Sequence, residues 1–92
     1  MIDAQLSGLA KELREKGIDC QTVHMVMRGN EDSSVSISDA EILRFLTLSK
    51  GEITLITLDN ELATYCTTFG VPCLRVQDAV ADAIAKAATG KN

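Results

Sequence analysis

Apolar residues recur along this chain in two rhythms, a spacing of three to four and short unbroken runs, and their alternation predicts helices interleaved with buried strands. From Ala4 to Lys16 the residues Leu6, Leu9, Ala10 and Leu13 share one helical face, Lys11, Glu12, Arg14, Glu15 and Lys16 lie off it, and Gly17 ends the helix. The preceding Met1-Ile2-Asp3 reads as the stub of a first strand. Between Ile18 and Val26 a looser alternation carries Cys20, Val23 and Val26, with Thr22 adding β-branching, which predicts a second strand from about Asp19 to Met25. Arg28 to Ser36 is polar and unpatterned and forms the long loop of the domain.

The second half is more sharply punctuated. Ser38-Asp39-Ala40-Glu41 fits a capping box, Ile42, Leu43, Phe45, Leu46 and Leu48 give the helix a broad apolar face, and Lys50-Gly51 closes it. The run from Glu52 to Asn60 reads as a central strand, buried on both faces, that stops on a carboxylate, Asp59. A third helix carries Leu62, Ala63 and Cys66 and ends at Gly70, Val71 to Val76 forms a fourth strand, and an alanine-rich helix runs from Gln77 to about Ala88. The resulting β-α-β-α-β-α-β-α order predicts a three-layer α/β/α sandwich around a central, mostly parallel four-stranded sheet. Residues 1–88 are expected to form one domain and 89–92 a frayed tail.

Composition narrows the function more than the fold. The net charge of -4 argues against holding nucleic acid by bulk electrostatics, although bound metal inverts the local charge of a site. The three cysteines, Cys20, Cys66 and Cys73, sit in apolar segments without C-x-x-C spacing and read as reduced core thiols. No stretch has the length and apolarity of a membrane span, so a soluble, cytoplasmic protein is expected. No GxGxxG or P-loop is present. The loop serines, Ser33, Ser34 and Ser36, lack a nucleophile turn, and the lone His24 reads as structural within an apolar strand.

The candidate chemistry lies in carboxylates. Asp3 ends the first strand, Asp39 opens the second helix and Asp59 ends the third strand, and in a parallel sheet these places face one edge. Glu41, Asn60, Glu61 and Asp78 are near enough in the pattern to join them. Carboxylates gathered without cations repel unless they hold a divalent ion, and oxygen-only ligands favour Mg2+ or Mn2+. Such a site supports phosphodiester hydrolysis. Each residue also has a structural reading: Asp59 is a good helix N-cap and Asp39 a good first-turn residue.

The segments Ile2-Asp3-Ala4-Gln5-Leu6, Leu13 to Asp19, Ser38 to Leu43, Ile56 to Ala63 and Phe69-Gly70-Val71-Pro72 together resemble the small PIN-like domains of prokaryotic toxins, in order over residues 2 to 76. The resemblance implies a PIN-like fold and an Mg2+- or Mn2+-dependent endoribonuclease acting on single-stranded RNA, the toxin of a toxin–antitoxin pair with an antitoxin protein as partner. It assigns Asp3, Asp39 and Asp59 to the metal, with Glu41 or Glu61 completing the shell and Thr57 orienting a carboxylate or water. Asn60 and Glu61 stand where a further aspartate is often found in that family. The alternative is therefore a catalytically inactive PIN-like module that binds a protein or forms a homodimer.

Overall fold

The computed structural model describes residues 1–32 and 34–90. It is a mixed α/β domain. A 3-10 turn, Ala4–Leu6, leads into α1 (Ser7–Glu15), followed by α2 (Val23–Arg28), α3 (Asp39–Leu48), β1 (Leu55–Thr57), α4 (Asn60–Phe69), β2 (Cys73–Arg75) and α5 (Val76–Ala88).

The sheet corrects the four-stranded expectation. β1 and β2 pair in parallel, with Leu55 opposite Cys73, Ile56 opposite Leu74 and Thr57 opposite Arg75, and these are the two strands of the described residues. The other two places are held by isolated parallel bridges, Ile2 to Thr22 and Ile2 to Ile56. Ile2 bonds to one side, where its N–H donates to Gln21 at 3.0 Å and its carbonyl accepts from Val23 at 2.8 Å, while its neighbours bond to the other, Ile56 N–H donating to Met1 at 2.7 Å and Asp3 N–H to Ile56 at 3.2 Å. Four extended segments thus lie abreast in the order Thr22, Ile2, Ile56, Leu74. The first two are bridges of single residues, since the chain turns into α2 directly after Thr22 and into the 3-10 turn two residues after Ile2.

That helix is the second correction. Thr22 does not continue a strand to Met25. Its hydroxyl accepts from Met25 N–H at 3.2 Å as an N-cap, α2 follows, and Gly29 ends it in the left-handed conformation at φ 76°. His24, Met25 and Met27 are therefore helical residues. The other boundaries follow the pattern closely. Ser38 Oγ accepts from Glu41 N–H at 3.2 Å and Glu41 Oε2 accepts from Ser38 N–H at 2.9 Å, completing the capping box of α3. Gly70, at φ 68°, closes α4.

Adjacent residues of β1 point to opposite faces, so the core divides in two. Leu55 joins Met1, Val23, Ile42, Leu46, Leu62 and Cys66 on the face covered by α2, α3 and α4. Ile56 packs with Ile2, Ala10 and Cys20 on the face covered by α1, beside Leu6, Leu9 and Leu13. The cysteines are free, and burial pushes the Cys66 thiol up to about 12, in keeping with an unreactive core thiol. No helix among the described residues is long and apolar enough to cross a membrane. Thr89 N–H donates to Ala85 at 3.1 Å at the end of α5, and of the expected tail Lys91 and Asn92 lie outside the described residues, as does Ser33.

Candidate acidic site

Thr57 is the hub of the carboxyl edge. Alternation along β1 turns it, like Leu55, into the interior, where it has no exposed surface. A buried hydroxyl needs partners, and Thr57 has two at that edge. Its Oγ1 donates to Asp3 Oδ2 at 2.5 Å and accepts from the Asp59 N–H at 3.0 Å. One side chain therefore ties the end of the first extended segment to the entry of α4.

The three predicted aspartates converge on one cleft of about 250 Å³, lined by Asp3, Gln5, His24, Asp39, Asp59 and several apolar residues, with no Lys or Arg among the lining residues. Asp3 is placed by its own N–H, which donates to Ile56 at 3.2 Å, and its carbonyl starts the 3-10 turn. Asp39 is the first residue of α3, oriented by the capping box that precedes it. Asp59 caps α4: its Oδ1 accepts from Glu61 and Leu62 N–H at 2.9 and 3.1 Å. Both cap bonds use that one oxygen.

The electrostatics reflect this gathering. Burial raises the Asp3 carboxyl above its ordinary value, the Thr57 and Leu58 hydrogen bonds pull it back, and the charge of Asp59 raises it further. Burial also raises Asp39, reinforced by the charges of Asp59, Glu61 and Asp3. These carboxylates thus repel one another across the cleft, with no cationic wall to compensate.

The remaining candidates are turned elsewhere. Glu41 is held by Ser38 and lies 3.7 Å from Arg28 Nη2, in a separate groove between α2 and α3. Glu61 Oε1 accepts from Tyr65 O–H at 2.9 Å, one turn along α4. Asn60 Oδ1 accepts from Arg75 Nη1 at 2.8 Å, and Asp78 receives both Nε and Nη2 of Arg75, so Asn60 and Asp78 belong to a neighbouring groove.

His24 joins the cleft from α2, unforeseen in the sequence. It is 8% exposed, its Nε2 lies 3.0 Å from the Val35 carbonyl, and its buried Nδ1 has no hydrogen-bond partner among the described residues. The tautomer that satisfies Val35 carries its proton on Nε2 and leaves Nδ1 as a lone pair. The local signal reaches only as far as the helix: Thr22 as cap and Gly29 as stop make Val23–Arg28 helical.

Whether these residues fit a metal divides into chemistry and spacing. The cleft offers carboxylate oxygens and no competing cation, the environment of a hard divalent ion. Among the described residues, however, no three His, Cys, Asp or Glu side chains close around one point. Mg2+ does not require this, because it commonly takes one or two carboxylates and completes its octahedron with water and substrate phosphate. Compared with known protein families, curated proteins and solved structures, the chain matches none.

Proposed function

We propose that the acidic cleft is the site of Mg2+- or Mn2+-dependent phosphodiester hydrolysis on single-stranded RNA, in a PIN-like domain that serves as the toxin of a toxin–antitoxin pair. The observation that carries the hydrolytic reading is the convergence of Asp3, Asp39 and Asp59 on one cleft free of Lys and Arg. RNA as substrate and an antitoxin as partner rest on the sequence resemblance. Asp3 and Asp59, joined through Thr57, would hold the ion, with Asp39 across the cleft accepting from its water shell. When bound, the ion activates water and offsets charge on the attacking and leaving oxygens. Thr57 keeps the Asp3 carboxylate pointed at the edge, and the α4 N-cap leaves Asp59 Oδ2 outside the helix's own hydrogen bonds.

Thermal melting with and without Mg2+ or Mn2+ tests the site, paired with cleavage of a single-stranded RNA. At ten times the dissociation constant, binding to the native state alone adds about 1.4 kcal/mol, a rise in Tm of about 6–11 °C for a domain of this size. Asp59→Asn is expected to remove both the shift and the cleavage. No shift at roughly 10 mM of either metal, together with uncut RNA, would sink the proposal. The absence of a closed three-residue centre among the described residues favours a second reading, a catalytically silent protein-binding module. Loss of biological activity in Asp59→Asn, with folding and partner binding intact, would exclude that reading.

A further inference from the structure

Two of the three free thiols meet on one face of the sheet. Residues paired across neighbouring strands point to the same side, so Cys73, opposite Leu55 in the register, is turned with it toward α4. Cys66 comes down on that face from α4 with no exposed surface, and Cys73 packs against the apolar cluster that contains it. The chain between the two is held at both ends. The Cys66 carbonyl accepts from Val71 N–H at 3.0 Å across the left-handed turn at Gly70, and the Pro72 carbonyl accepts from Leu55 N–H at 3.0 Å. Cys20 lies in the opposite layer, with Ile2 and Ala10.

The two sulfurs are unequal. Cys66 is sealed in the core, where burial pushes its thiol up to about 12, so it does not react first. Cys73 is half-buried and lines an open groove of about 210 Å³ together with Thr64, Thr67 and Arg75. Burial raises its thiol as well, but the Cys66 S–H, donating to its sulfur, pulls it back. Negative charge on the groove-facing sulfur is therefore what the second thiol supports. A sulfur within reach of a small molecule, with another thiol directly behind it, is arranged for thiol–disulfide exchange.

We propose that Cys66 and Cys73 are a dithiol pair that closes to a disulfide by exchange with a low-molecular-weight disulfide such as oxidised glutathione. This does not depend on the hydrolytic reading. Cys73, its proton released to water, attacks one sulfur of the small disulfide, whose S–S bond breaks; a mixed disulfide forms on Cys73 and the first glutathione leaves. Cys66 then gives up its proton and attacks Cys73 Sγ, forming the internal S–S bond and expelling the second glutathione. Two electrons pass from the protein to the glutathione disulfide, and the two protons complete the two thiols that leave.

Incubating the full chain with about 5 mM oxidised glutathione, blocking residual thiols in denaturant and mapping the peptides by mass spectrometry tests it. The expected product is lighter by about 2 Da, carries a Cys66–Cys73 bridge and keeps Cys20 as a free thiol. Closing so short a loop should raise Tm by roughly 10 °C. Cys66→Ala, its fold checked by far-UV circular dichroism, should stop at the mixed disulfide on Cys73, heavier by about 305 Da, and Cys73→Ala should take up no glutathione. A parent chain that stays fully reduced, retains glutathione on Cys73 or bridges through Cys20 would overturn the proposal, whatever the variants do. A bridge that lowers Tm would overturn it equally, because the native fold would then oppose the pairing.

Discussion

Replacing Thr57 with valine isolates the hydroxyl at the centre of the acidic edge. The side chain has no exposed surface, and valine keeps its volume and β-branching, so no cavity opens. The substitution removes the bond donated to the Asp3 carboxylate and the acceptor of the Asp59 N–H. A hydrogen bond to a charged group contributes about 1.5–3 kcal/mol and one to a neutral group about 0.5–1.5 kcal/mol. The added methyl group returns roughly 1 kcal/mol in this apolar surrounding. The expected net loss is about 1–3.5 kcal/mol, and at its centre, about 2 kcal/mol, a fall in Tm of about 8–16 °C. Thr57→Ser keeps both bonds and loses one buried methyl group, about 1 kcal/mol. Urea unfolding of the three proteins at neutral pH, followed by far-UV circular dichroism, gives the comparison. Losing the Thr57 bond should also push the Asp3 carboxyl further up, read by NMR titration. A valine variant as stable as the serine variant, with Asp3 titrating as before, would refute the hub assigned to the hydroxyl.

Asp3 and Asp39 are both raised from 3.8, so between 3.8 and their folded values the native state binds more protons than the unfolded one. Their contribution to metal-free stability is therefore unfavourable above the folded values and improves as pH falls through that window. Urea midpoints between about pH 4 and about pH 6 should show this gain for the parent and a smaller one for Asp3→Asn, a comparison that cancels the other titrating groups. Exposed Asp32 and Asp78 are lowered from 3.8, so their stabilising contributions disappear only below that value. Asp59→Asn should retain the α4 cap and unfold within about 0.5 kcal/mol of the parent, whereas Asp59→Ala should lose about 1 kcal/mol in the same assay. Ser38→Ala, which breaks the capping box of α3, should cost about 1 kcal/mol by urea unfolding without abolishing the metal-induced shift in Tm.

Helices and their ends were legible wherever a local signal ruled. Ser38 and Glu41 specify the start of α3 through two side-chain bonds to backbone three residues away, and Asp59 and Gly70 bracket α4 in the same way. The stretch from Asp19 to Met25 reads as a strand because a short apolar run has no clear period, and what decides that Val23–Arg28 is a helix is the pair Thr22 and Gly29. The sequence by itself determined the interleaving of helices with extended segments, the buried run ending in Thr57, and the acidic residues at the segment ends, since periodicity and capping act over a few residues. Tertiary structure alone decided that Ile2 bridges two neighbours without a full strand around it, because those bonds join residues about 20 and more than 50 positions apart. It likewise brought His24 to the carboxylates and Glu41 beside Arg28, whereas Glu61–Tyr65 and Arg75–Asp78 are pairs within one turn of chain. The Arg28–Glu41 contact depends on how α2 packs beside α3, and no local pattern encodes it.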